Sequence, residues 1–231
     1  NTGTGNDYKG WEFYKDTRVL YGSVVIDGKL FRNPAPTRMT WRPDKMICEY
    51  EIGGVLIREE KFIGASDAAA SIITSSKPVA LRFEGRSLLV RHSVSSTAEI
   101  RYEPSVNTIL ISEGGKVKSR PDPSGPERIG PIVYQGMTTA LSCSRDFSSS
   151  ISFSKGGRGE RKYLFEVPCD ARGTTVSWAM NDDPKDALQA AREIISIDRQ
   201  MQAAKTAETN RQLNEEIPKF RCSDPKFEEI Y

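Results

Sequence analysis

His92 is the single histidine of the 231-residue chain. With no second imidazole, a Cys2His2 zinc centre cannot be completed. Cys48, Cys143, Cys169 and Cys222 lie 95, 26 and 53 residues apart, whereas a zinc knuckle brings its cysteines within about two to four residues. They are buried thiols, or one or two long-range disulfides in an exported protein; spacing does not choose. No cofactor or metal is expected. No apolar run approaches the length of a membrane span. Charge of one sign is also missing: 33 Lys and Arg face 31 Asp and Glu, for a net +2, and the basic residues are interleaved with acids. That excludes a nucleic-acid footprint. The first residues, Asn1 to Asp7, carry neither methionine nor the apolar core of a leader, so a mature or trimmed start is expected. The compartment stays open, with export (periplasmic or extracellular) expected ahead of the cytosol.

What the chain does contain is strand after strand between Tyr21 and Met180. Val24–Ile26 and Lys29–Phe31 flank Asp27-Gly28, a dipeptide that accepts the positive φ angles of a two-residue hairpin turn. Met46–Ile52 and Val55–Ile63 flank Gly53-Gly54 in the same way. Ala69–Thr74, Val79–Phe83, Leu88–Val94, Thr108–Ile111, Ile132–Tyr134, Thr138–Ser142, Ile151–Phe153, Lys162–Val167 and Thr174–Met180 continue the series. Short strands at such intervals predict a mainly β chain, an antiparallel β-super-sandwich. Gly114 to Pro131, rich in Gly, Pro and charge, reads as a long surface loop.

At Asn181 the period changes. Asp183-Pro184 is a helix start, with a capping carboxylate followed by proline in the first turn. Ala187, Leu188, Ala191, Ile194, Ile195 and Met201 recur at three- and four-residue steps, so a linker helix is expected over 181–216, buried at its beginning and solvated later. After Ile217-Pro218, Ser223-Asp224-Pro225 opens another helix, with Phe227, Ile230 and Tyr231 on one face. A helix this short is marginal alone, so residues 217–231 are expected to begin a helical domain that continues past Tyr231. The domains expected are therefore a sandwich over 1–180, the linker helix over 181–216, and this truncated start.

No catalytic centre is legible. His92 and Ser93 are strand neighbours and point to opposite faces, so they cannot form a base–nucleophile pair. Lys155-Gly-Gly-Arg-Gly159 has the glycine content of a phosphate loop but neither its Gly-Lys-Ser/Thr ending nor a following helix, and reads as a hairpin turn. The pairs Glu59-Glu60 and Glu215-Glu216 read as solvated charge, not as the buried, separated couple of glycoside hydrolysis. Trp178 reads as core. The N-terminal aromatics and arginines remain: Trp11, Tyr14, Arg38, Trp41 and Arg42 fall outside or at the edges of the strands. Aromatic planes stack on sugar rings and guanidinium groups fork to hydroxyls, so these five are the candidate contacts with carbohydrate or with a neighbouring domain. Ordinary packing is the competing role for each.

Three stretches, Ile73 to Gly85, Asn181 to Leu188 and Ile217 to Tyr231, resemble in their order the front of an (α/α)6-barrel glycosidase, most nearly glycoside hydrolase family 63 and the related six-hairpin enzymes. The resemblance covers the whole chain in architecture and about a sixth of it in motifs. It implies a non-catalytic N-terminal sandwich of an inverting, α-glucosidase-like hydrolase. The acid and base would sit on a helical barrel of the same polypeptide, so the chain alone holds no catalytic residue. Partners would be that barrel and a carbohydrate substrate, with neither nucleic acid nor membrane. A free-standing carbohydrate-binding module and an interaction scaffold using Leu188, Ala191, Ile195 and Met201 are the other readings.

Overall fold

The computed structural model describes residues 14–15, 21–32, 34–64, 68–86, 89–90, 93–117, 132–156 and 161–216. All strand pairs are antiparallel. In chain order the strands are β1 (Tyr14–Lys15), β2 (Tyr21–Ile26), β3 (Lys29–Arg32), β4 (Arg38–Arg42), β5 (Lys45–Ile52), β6 (Val55–Ile63), β7 (Ala68–Ser75), β8 (Val79–Arg86) and β9 (Leu89–Val90). They continue as β10 (Ser93–Glu103), β11 (Thr108–Val117), β12 (Ile132–Cys143), β13 (Ser152–Lys155), β14 (Arg161–Cys169) and β15 (Thr174–Asn181). Helices α1 (Pro184–Ser196) and α2 (Arg199–Glu216) follow.

An eight-stranded sheet, ordered β10-β11-β12-β15-β7-β6-β5-β4, faces a five-stranded sheet ordered β13-β14-β8-β2-β3; β1 and β9 form a separate ribbon. The expected antiparallel β-super-sandwich followed by helix is the fold. Both predicted hairpin turns form with positive φ: Asp27 and Gly28 at 49° and 76°, Gly53 and Gly54 at 57° and 74°. Between the sheets, alternate residues interlock: Val24, Ile57, Ile73, Leu81, Ile109, Leu141 and Val176 are buried there. The ring of Phe147 stacks on Phe165 at 4.3 Å, and Phe165 reaches Phe83 at 5.3 Å.

The outer face of the large sheet carries a second core of a different texture. Ala68, Ala70, Ala140 and Ala179 with Leu110 receive Ala187, Ala190, Ala191 and Ile194 of α1. Small residues on both surfaces let the helix approach closely, and the Ser177 hydroxyl donates to the Ala191 carbonyl at 2.5 Å. The helix starts as the sequence predicts: Asp183 accepts from the Lys185 N–H at 2.7 Å, with Pro184 in the first turn.

Five expectations change. Arg38–Arg42 is a strand, β4, and not a strand margin. Ser93–Glu103 is a long strand whose Ser/Thr/Glu composition hides its strand character. Ile132–Tyr134 and Thr138–Ser142 are parts of one strand, β12, and β11 runs to Val117, into the stretch expected as loop from Gly114. The single helix expected over 181–216 is two helices: Ile197 adopts extended backbone after α1, and the Asp198 carboxylate accepts from the Met201 N–H at 3.3 Å to begin α2. The start of a further helix over 217–231 lies outside the described residues.

The two sheets are unequal in width. At about 4.8 Å per strand, eight strands span about 34 Å and five span about 19 Å. Among the described residues, part of the large sheet's inner face therefore extends past the small sheet, and β4 lies at that end.

Candidate contact face on the edge of the large sheet

Along β4 the side chains alternate. Met39 and Trp41 point to the inner side of the sheet, since their partners Cys48 and Met46 do; Arg38, Thr40 and Arg42 point outward. Trp41 is 74% exposed and Met39 62%. An inward-pointing tryptophan that stays exposed is the direct result of the unequal sheets. It also forms an apolar platform where sheet surface would otherwise be charged.

Beside that platform, β5 and β6 build a polar cluster on the same face. The Glu59 carboxylate accepts from the Tyr50 hydroxyl at 2.8 Å and pairs with Lys61 Nζ at 3.2 Å. Burial holds the Tyr50 phenol well above the ordinary tyrosine range, and the negative charge and hydrogen bond of Glu59 raise it further. Tyr50 is therefore a fixed proton donor, and Glu59 is a carboxylate held between a donor and a cation. On the opposite face, Glu60 pairs with Lys45 at 2.8 Å and with Arg58. Burial opposes ionisation of Glu60, but the hydrogen bonds from Lys45 and Arg58 outweigh it and hold its pKa below the usual range. The adjacent glutamates thus serve two separate ion-pair networks, and they are not an acid–base couple.

The three predicted contact residues on β4 do not share one face of the sheet. Trp41 is separated by the sheet from Arg38 and Arg42. Arg38 lies 3.9 Å from Glu49 and Arg42 lies 3.4 Å from Asp44, both as exposed guanidinium groups. Tyr14 is in the β1–β9 ribbon, paired with Val90; Trp11 lies outside the described residues, as does His92. Reasoning from sequence missed Met39, Tyr50 and Glu59. The alternation Met39, Trp41 in a short run after the Pro34–Pro36 segment was the available signal for an edge strand.

Trp178 is half-buried against the inter-sheet core, as expected. Cys48, Cys143 and Cys169 are free and buried; Cys222 lies outside the described residues. Burial pushes the Cys143 thiol up to about 12 and that of Cys169 to about 11, which suits inert core thiols. Among the described residues no three His, Cys, Asp or Glu side chains gather as metal ligands. No helix among the described residues is long and apolar enough to cross a membrane.

These features define the class: a two-sheet antiparallel super-sandwich with a helix seated on its outer face and a second helix leading on. No protein-family model and no curated protein matches the chain. Solved structures do. An α-mannosidase of family GH92 from Bacteroides thetaiotaomicron, in complex with mannoimidazole, aligns over 84% of this chain with TM-score 0.51 and 13% identity. An inverting mannosidase of the same family and organism aligns over 82% with TM-score 0.49 and 10% identity. A putative kojibiose phosphorylase from the human microbiome aligns over 81% with TM-score 0.39 and 10% identity. The chain spans only about a quarter of the length of each: 27%, 25% and 26%. At these identities the likeness is one of fold.

Proposed function

We propose that this chain is the non-catalytic β-sandwich part of a glycoside hydrolase, packing on and shaping the cleft of a catalytic helical domain of the same polypeptide. The observation that carries the reading is the match to the GH92 α-mannosidase, over 84% of this chain but 27% of that one. The family 63 resemblance of the sequence points to the same kind of assembly, in which an inverting, α-glucosidase-like barrel supplies the acid and base. On this reading the sandwich covers 1–180, the helices to Glu216 form the linker, and Ile217 to Tyr231 opens the barrel. The uncovered strip of Trp41 and Met39, with Tyr50 and Glu59 beside it, is the surface offered to barrel or sugar. Arg38 and Arg42, and Trp11 and Tyr14, remain candidate contacts. The polar α2, whose Arg211 is held by Glu208 and Glu215, suits a solvent-bridging spacer between domains.

The test is the intact denatured mass of the polypeptide as its source produces it, followed by hydrolysis of aryl α-glucosides and α-mannosides with the product anomer read by NMR. A mass well above 25.7 kDa with release of the inverted anomer supports the reading. A source mass equal to 25.7 kDa sinks it.

The exposure of Trp41 also favours a second reading, a free-standing carbohydrate-binding module. Trp41→Ala separates the two: a binding module loses sugar affinity in this chain alone, whereas a buttress loses barrel contact. The scaffold reading loses support, because Ala191 of its proposed stripe is fully buried against the sheet.

A further inference from the structure

Three features meet on the inner side of β4, β5 and β6, and the first is set by strand register. Trp41 lies opposite Met46, and Met46 opposite Lys61; in the next row Met39 lies opposite Cys48, and Cys48 opposite Glu59. Residues of one row point to the same side of the sheet. At about 4.8 Å per strand, the two steps from Trp41 to Lys61 cover about 10 Å. The strip therefore has an exposed apolar end, Trp41 and Met39, and a polar end, Lys61 and Glu59.

The second feature is hydrogen-bonding capacity held in reserve at the polar end. The Tyr50 hydroxyl and Lys61 Nζ both engage Oε2 of Glu59, at 2.8 and 3.2 Å. Among the described residues, Oε1 of Glu59 is left to accept, and Lys61, paired with Glu59 alone, keeps further N–H groups to donate. The third is neutrality. Glu59 and Lys61 cancel in charge, and Arg38 and Arg42 lie across the sheet on its other face, so the strip gives a charged ligand no net attraction. A protein surface laid over it would take the Glu59–Lys61 pair out of water, which is costly. A chain of hydroxyls would instead replace that water with hydrogen bonds. The same molecule can stack the C–H face of a ring on an indole, whose plane is a large apolar contact.

We propose that this strip binds a neutral oligosaccharide. One ring stacks on Trp41 with Met39 at its flank, and hydroxyls further along the chain accept from Lys61 Nζ and donate to Oε1 of Glu59. The choice of a saccharide rests on reading the chain as part of a glycoside hydrolase. The two ends of the strip and its neutrality rest on strand register and ion pairing. Of the two occupants that reading allows, sugar or helical domain, the proposal commits to sugar.

Calorimetric titration of the 231-residue protein with maltotriose, an α-linked mannotriose, cellotriose and trigalacturonate tests the proposal. At least one neutral trisaccharide should bind with millimolar affinity or better, and its affinity should hold as salt rises from about 50 to about 200 mM. Trp41→Ala should weaken it roughly tenfold and Lys61→Met about threefold, with the melting temperature of Trp41→Ala matching the parent's. Leu56→Ala trims an exposed apolar side chain on the opposite face of the same sheet and should leave affinity unchanged. Absence of binding by all three neutral sugars, full affinity in Trp41→Ala, or equal loss in Leu56→Ala would overturn the proposal. Trigalacturonate binding more tightly than every neutral sugar would overturn its neutrality. Binding by this chain that is lost in a longer source polypeptide would overturn it too, since the strip would then be covered by protein. A source mass of 25.7 kDa sinks the hydrolase reading and leaves this titration to be decided by itself. Hydrolysis by the source polypeptide without sugar binding at Trp41 sinks only the present proposal.

Discussion

Replacing Gly64 with alanine tests how closely α1 is keyed to the large sheet, and hence how firmly the chain's departure from the sandwich is set. Gly64 lies outside the left-handed region, so any strain comes from packing. A Cβ there would sit 2.9 Å from Ile194 Cδ1 and 3.3 Å from its Cγ1, where carbon atoms prefer about 3.5–4.0 Å. Ile194 is 3% exposed and seated among alanines. Its terminal carbons can yield only by shifting within that buried cluster. Overpacking of this kind costs about 1–3 kcal/mol, and restricting the unfolded chain returns about 0.4–1 kcal/mol. The net loss for Gly64→Ala is therefore about 1–2 kcal/mol. Ile194→Ala removes three buried carbons, about 2.4 kcal/mol by transfer, and the cavity left behind raises the loss to about 3–4 kcal/mol.

In the double variant the clashing atoms are gone, and the new methyl group occupies part of the cavity. It should be at least as stable as Ile194→Ala alone, which sets a coupling of about 1–2 kcal/mol in favour of the pair. Urea melts followed by circular dichroism, with unchanged m-values, give the three stabilities. Losses that add within about 0.3–0.5 kcal/mol would refute the argument, because they would mean that the helix slides to admit the methyl group.

Trp41→Ala should change the stability of this chain by no more than about 0.5 kcal/mol, as an exposed surface substitution does; a larger fall in thermal midpoint would mean that the platform is packed. Phe147→Ala should cost about 3–5 kcal/mol in urea, because the ring is buried between Tyr102 and Phe165. Cys143 has its thiol raised from 9.0 to about 12, so above pH 9 the unfolded state releases a proton that the folded state keeps. Stability should fall between pH 9 and about 12, by up to about 1.4 kcal/mol per pH unit, and Cys143→Ala should flatten that limb of a pH-dependent melt. Glu60 behaves oppositely. Its contribution is complete above the ordinary value of 4.5 and is lost as pH falls through its lower folded pKa, so Glu60→Gln should shallow the acid limb of the same profile.

The strands that were plain in the sequence are those whose alternation is apolar and whose turns demand glycine. Val24 to Phe31 and Met46 to Ile63 carry both signals, and their hairpins formed as read. Asp183-Pro184 was equally explicit, since a capping carboxylate and a proline act within a few residues of chain. Less legible were β4 and β10. An edge strand such as β4 has one free side and tolerates arginine and proline nearby, so its composition looks like loop. The hydroxyls of β10 were equally uninformative about its partners. The break at Ile197 was hidden for another reason: a three- and four-residue period continues through it, and only two residues, Ile197 and Asp198, lie between the helices.

By itself the sequence determined the class of the fold, the hairpin turns and the start of α1, because each is signalled by residues within about ten positions of one another. The tertiary structure decided what the surface offers. Trp41 is an exposed platform only because eight strands face five, and it is parted from Arg38 and Arg42 only because a strand sends neighbours to opposite sides. Trp41 and Lys61, 20 residues apart in the chain, share one row only through the register of β4, β5 and β6. Sheet order and register come from the packing of the whole core, and no short stretch of sequence contains them.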